Sequence, residues 1–169
     1  MKQKIVLAII AMLSVSQIWA TGKEKSKMIV KDQILSGSYS SVTVSSGVDV
    51  LLIEKDSKIA TVQGIEKFVD AISFTEKDGQ LFISSKKGSG KAVVYLPVSH
   101  LKNLQLNGDS RAYTVGQINS PELKLTISGN CDFGISNFGK VTIIHTEDCD
   151  VAYKWVDNSK MVEEVVSLK

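Results

Sequence analysis

One pattern recurs three times in the 169-residue sequence, and it constrains the fold more than any other feature. Leu104-Gln105-Leu106-Asn107-Gly108-Asp109-Ser110-Arg111-Ala112 aligns with Leu125-Thr126-Ile127-Ser128-Gly129-Asn130-Cys131-Asp132-Phe133. Both align with Ile143-Ile144-His145-Thr146-Glu147-Asp148-Cys149-Asp150-Val151. The small residues Ser110, Cys131 and Cys149 share one column, at intervals of 21 and 18 positions. Phe133 and Val151 fall in the column of Ala112, and Tyr153 falls in that of Ile135. A more distant copy, Val42-Thr43-Val44-Ser45-Ser46-Gly47-Val48-Asp49-Val50, has one residue fewer between its glycine and its small position. Repeats of about 20 residues that carry short strands are the signature of a solenoid. One such coil cannot bury its apolar column alone, so neighbours stack and share a core.

The remaining sequence agrees. Apolar residues alternate in short runs: Val48, Val50 and Leu52, then Ile72 and Phe74, then Leu81 and Ile83, then Val93 and Tyr95. Gly, Ser, Asn or Asp separates each run from the next. No sustained helical period precedes residue 155. Pro97 and Pro121 stand at the edges of runs, where they break no ladder. The expected fold is all-β, a single-chain parallel β-helix of short strands with a less regular N-terminal β part. Residues 93–153 are read as its coils. Residues 37–90 supply further strands and a cap, with a hairpin at Asp78-Gly79 and irregular elements over 67–71 and 86–91. In such a stack, like residues form ladders about 4.7–4.9 Å apart.

Residues 1–20 have the three parts of a secretory signal: Lys2 and Lys4, nine apolar residues from Ile5 to Leu13, and small Ala20 at the cut. The apolar run is too short to span a bilayer, which takes about 20 residues. A soluble, exported chain is expected, periplasmic or at the cell surface, with no transmembrane span after cleavage. Lys2 and Lys4 also account for the whole net charge of +2. The balanced remainder argues against nucleic acid as a partner, since such binders need a clustered basic field. Residues 21–36 are expected to be a polar lead-in, and 37–154 the β-helical domain. Residues 155–169 form a capping segment: either a short helix capped by Asp157 or Asn158, or a final strand that blunts an open sheet edge. Trp155 would be a cap plug or a contact anchor.

The order of motifs resembles a known family. Ser46-Gly47-Val48-Asp49-Val50-Leu51-Leu52 opens the domain, and Asp78-Gly79-Gln80-Leu81-Phe82-Ile83 follows. Next come Val93-Val94-Tyr95-Leu96-Pro97, then Leu104 and Leu106 leading into Gly108-Asp109-Ser110, and finally Ile127-Ser128-Gly129-Asn130-Cys131-Asp132-Phe133. Over residues 37–153 this is similar to the putative auto-transporter adhesin, head GIN domain family of bacteria. The resemblance implies an exported or lipid-anchored protein with a β-helical body and no catalytic residues. Two features depart from the pattern. Cysteine stands where Ser, Gly or Ala is usual, and the third repeat, Thr146-Glu147-Asp148, lacks the glycine.

Few residues suggest chemistry. Cys131 and Cys149 would stack on adjacent coils, as a disulfide in an oxidising compartment or as a buried ladder of small thiols. Arg111, Asp132 and Asp150 share the next column and would form a surface ladder. That ladder is either a solvated face with one Arg–Asp pair or, completed by Glu147 or Asp148, a calcium site. His145 falls in the core column of Leu106 and Ile127, unless the register slips and Ile144 fills the core. His100 reads as a turn residue. Lys87-Gly88-Ser89-Gly90-Lys91 lacks the spacing of a phosphate loop and reads as a loop between strands. No metal or cofactor is expected. The function expected is a non-catalytic, adhesion-like binding protein of the cell envelope, its partner an envelope protein or a glycan. The alternative is a carbohydrate-active enzyme that uses Asp132, Asp150 and Glu147 near Tyr153, because glycoside chemistry needs paired carboxylates.

Overall fold

The computed structural model describes residues 26–37, 39–45, 47–86, 92–146, 152–153 and 161–166. They form fourteen strands in two open seven-stranded sheets, with a single four-residue helix. The first sheet runs, in spatial order, β1 (Met28–Ile34), β4 (Ile59–Ile65), β7 (Ala92–Val98), β3 (Asp49–Glu54), β9 (Arg111–Val115), β11 (Asp132–Gly134) and β13 (Ala152–Tyr153). The second runs β14 (Met161–Val166), β12 (Lys140–Thr146), β10 (Glu122–Ser128), β8 (Asn103–Asn107), β2 (Ser41–Val44), β6 (Gln80–Ser85) and β5 (Ile72–Lys77). Both sheets are mixed. The pairs from β7 to β13 and from β14 to β6 are parallel, whereas β1, β4 and β5 pair antiparallel.

Alternation sets which side chains go inward. In β10, Leu123, Leu125 and Ile127 are buried between exposed or half-buried neighbours. In β3, Val50 and Leu52 do the same between Asp49, Leu51 and Ile53. The inward rows of both sheets meet in one core that includes Leu81, Ile83, Leu96, Leu104, Leu106, Leu125, Ile127 and Phe133. Each such side chain, fully buried, stabilises the fold by about 1.5–3 kcal/mol.

The repeat columns predicted from the sequence are the rungs of the second sheet. Leu125 pairs with both Leu104 and Ile143, and Ile127 with both Leu106 and His145. The distant copy joins them, with Val42 opposite Leu104 and Val44 opposite Leu106. At the corner that follows, Gly108 and Gly129 adopt positive φ, 69° and 92°. A Cβ on Gly129 would lie 3.1 Å from the Cα of Gly108, so glycine stacks on glycine there. The opposite corner is held by Asn137. Its amide accepts from the Ser120 N–H (3.0 Å) and donates to the Ser120 carbonyl (2.8 Å), with both residues buried.

Four features differ from the sequence expectation. First, spatial order does not follow chain order: β2 lies between β6 and β8, and β3 between β7 and β9. Residues 37–90 therefore do not simply precede the strands of 93–153, because the strands over 41–54 lie in the middle of both sheets, and the two open, mixed sheets are a coarser arrangement than the single-chain parallel β-helix expected. Second, residues 28–34 of the expected polar lead-in form β1. It is exposed nearly throughout, so it carries no pattern of alternating burial. Its backbone pairing with β4 holds it, supplemented by a bond from Thr61 Oγ1 to Asp32 (2.8 Å). Third, the irregular element over 67–71 begins with α1 (Glu66–Val69), while of the two forms open to the capping segment the strand is present, as β14 parallel to β12. Fourth, Asp132 pairs with Ala152 and Phe133 with Tyr153, where the repeat alignment placed Asp150 and Val151. The last connection thus carries two extra residues, consistent with its lack of a glycine to make the tight corner. The Asp78-Gly79 hairpin forms as read, with both residues at positive φ, 51° and 73°. Residues 1–20, expected to be an export signal, residues 87–91, expected to be a loop, and Glu147, Asp148, Cys149, Asp150 and Trp155 lie outside the described residues.

Candidate functional site

The outward face of the first sheet gathers the polar and aromatic residues in two rows. In the first row, Arg111 is the Cα partner of Asp49 on one side and of Asp132 on the other. Odd positions of β3 and β9 point outward because Val50, Leu52 and Ala112 point into the core. Arg111 Nε lies 3.0 Å from Asp49 Oδ1, with the Arg111 side chain 46% and the Asp49 side chain 21% exposed. The predicted pairing of Arg111 with Asp132 in one column is present. An ion pair also joins Arg111 to Asp49, a residue that the sequence showed only within the distant copy. Burial raises the Asp49 carboxyl above its ordinary value, Arg111 opposes that rise, and the charge of Asp132 adds to it.

In the second row, Leu51 is the Cα partner of Tyr95 on one side and of Tyr113 on the other. Tyr113 in turn faces Gly134 on β11. The Tyr113 phenol is pushed up to about 12, first by burial and then by its hydrogen bond to Asp132 and the charge of that carboxylate. Tyr113 was missed in the sequence. The signal available was its place two positions after Arg111, hence on the same face of the strand. Asp132 engages Tyr113, where the enzyme alternative paired it with Asp150 and Glu147 near Tyr153. The structure does not describe the positions of Asp150 and Glu147.

The small-residue column sits at the corner before this row. Ser110 Oγ donates to the Asn107 carbonyl (2.7 Å). Cys131, directly above and buried, directs its Sγ at the Ser128 carbonyl (3.8 Å) and more closely at the Gly108 carbonyl (3.0 Å). Ser and Cys thus play the same part in successive corners, each reaching the carbonyl three residues back. His145 keeps the predicted column of Ile127 and Leu106. Its Nε2 lies 2.8 Å from Glu163 Oε1 on β14, with the His145 side chain 11% exposed. At this end of the core, a polar pair occupies the position held elsewhere by aliphatic residues.

The outward face of the second sheet holds an open groove of about 740 Å³. Lys102, Asn103, Lys124, Thr142, Ile144 and Glu164 are among its lining residues, which include no aromatic side chain. Among the described residues, no helix is long and apolar enough to cross a membrane.

Residues 38–147 match the family described as putative auto-transporter adhesin, head GIN domain. The chain belongs to that family. No curated protein matches the sequence. Among solved structures, the chain is similar to a putative adhesin from Bacteroides fragilis, with a TM-score of 0.62 at 16% identity, covering 83% of this chain and 78% of the other. It is also similar to a putative adhesin from Parabacteroides distasonis, with a TM-score of 0.51 at 14% identity, covering 85% and 80%. A protein from the same species called a putative lipid binding protein gives a TM-score of 0.57 at 12% identity, covering 85% of this chain and 61% of its own. At these identities the likeness concerns the all-β fold.

Proposed function

We propose that the protein is an exported, non-catalytic, adhesion-like binding protein of the bacterial cell envelope. Its two parallel ladders are read as coils of a β-helix, and its working surface is an outward sheet face. The observation that carries this reading is the ordering of outward side chains into rows, Asp49–Arg111–Asp132 beside Tyr95–Leu51–Tyr113, in a chain whose family is described as putative adhesins. Parallel in-register strands turn a few residues into a repeating surface without a deep pocket, which suits contact with an extended partner better than turnover of a small one. Cys131 and Cys149 are read as structural members of the corner column. Expression of the full chain in a bacterial host tests the reading. A mature protein that begins at Thr21, recovered outside the cytoplasm and binding intact cells saturably, is the expected result. An uncleaved cytoplasmic chain, or a mature one that binds no cell surface, would overturn it.

A further inference from the structure

We propose that the outward face of the first sheet is a stacking platform for an extended, β-linked neutral polysaccharide. Tyr95, Leu51 and Tyr113 form the stacking row, and Asp49, Arg111 and Asp132 the hydrogen-bonding row. The inference rests on the reading of the protein as a binding module and names the chemistry of its partner.

Four observations lead there. Tyr95 and Tyr113 both pair with Leu51, so the two rings stand two rungs apart. Two rungs span about 9.6 Å, roughly one disaccharide of an extended β-linked chain, in which every second sugar presents the same face. Secondly, the tyrosines and Leu51 are half-buried, so their bodies are fixed while one side remains reachable. An aromatic face against the C–H side of a pyranose needs that arrangement. Thirdly, the Tyr113 hydroxyl is bonded to Asp132 on the next strand, where the direct neighbour of Tyr113 is Gly134. Gly134 carries no side chain that could stand beside the Tyr113 ring on that strand. Finally, the polar row sets one guanidinium between two carboxylates. Sugar hydroxyls both donate to carboxylates and accept from Arg111, whereas a polyanion would meet two negative charges for each positive one. The groove on the second sheet has the volume of a ligand site, but its lining offers no ring to stack on.

The test uses the purified mature chain and a panel of hexasaccharides of β-1,4-linked glucose, xylose and mannose, with binding followed by calorimetry. At least one hexasaccharide should bind, and the matching disaccharide, too short to reach both rings, should bind at least about tenfold more weakly. Tyr95→Ala and Tyr113→Ala should each weaken binding by about tenfold, the loss of one stacking contact. Lys124→Ala, in the groove of the second sheet, should leave affinity within about twofold. Thermal unfolding of each variant shows whether a loss is local. The proposal is overturned if no hexasaccharide binds, or if the tyrosine variants bind as wild type does. It is also overturned if phosphatidylglycerol vesicles bind this face and the hexasaccharides do not displace them. Saturable binding to intact cells without any hexasaccharide binding would leave the adhesion-like reading standing and remove the glycan. Loss of cell binding altogether would remove the reading itself.

Discussion

Two successive strand–corner–strand segments begin alike and part at the corner. In β10, Ile127 leads through Gly129 into β11, and Asp132 follows five positions after Ile127. In β12, His145 stands opposite Ile127, yet Ala152, the partner of Asp132, comes seven positions after it. The first corner has a glycine at positive φ packed on the glycine beneath. The second has Thr146-Glu147-Asp148 in that place. The apolar column aligns the strands of one sheet, and the strands of the other sheet shift by two residues where the corner glycine is missing. The same gradient appears in the core. Ile127 is 1% exposed, His145 exchanges its aliphatic role for a bond to Glu163, and Val165 beyond it is 54% exposed.

Substitutions within that one column give the sharpest contrast. Ile127→Ala should cost about 3–4 kcal/mol in urea unfolding, from lost burial and the cavity left behind. Val165→Ala, two rungs away, should cost less than about 0.5 kcal/mol. Comparable losses would mean that β14 is as deeply packed as β10. Gly129→Ala is next, at about 2 kcal/mol. It places a Cβ 3.1 Å from the Gly108 backbone at a φ of 92° that side chains rarely adopt. If the corner sets register, residues of β11 and β13 should also lose amide-exchange protection in this variant, while β10 and β12 keep theirs. Asn137→Ala leaves the buried Ser120 N–H without its acceptor and should cost about 2 kcal/mol by the same unfolding measurement.

The smallest effect is one of pH. The Asp49 carboxyl is raised in the fold above the ordinary 3.8. Between 3.8 and that higher value the folded chain holds a proton that the unfolded chain has released. Stability contributed by Asp49 is therefore complete below 3.8 and falls as pH rises through the folded value. Asp49→Asn should remove that falling component, seen as a flatter Tm than in wild type as pH rises from 3.8. A steeper profile in the variant would show that Arg111 outweighs burial at this carboxyl.

Where the sequence was legible, the reason is physical. Parallel strands stack like on like, so the Leu and Ile columns of the repeat translate directly into rungs, and Arg111 meets Asp132 as aligned. β1 escaped notice because it is exposed nearly throughout and is held mainly by its backbone pairing with β4. Asp49 was hidden because its repeat copy is one residue short, and its pairing required knowing that β3 lies against β9. The role of Tyr113 depends on a bond to a neighbouring strand, and nothing in a strand's own alternation records that.

The interleaving of strands bears on how the chain reaches this structure. The strands β2 and β3 come early in the chain, but the edges of both are filled by later segments, β6 and β7 on one side and β8 and β9 on the other. Closing those pairings demands long loops, which slows folding and leaves strand edges open meanwhile. The molecule therefore condenses around its beginning instead of growing outward from it. A truncation that stops before residue 92 would leave β3 without either neighbour.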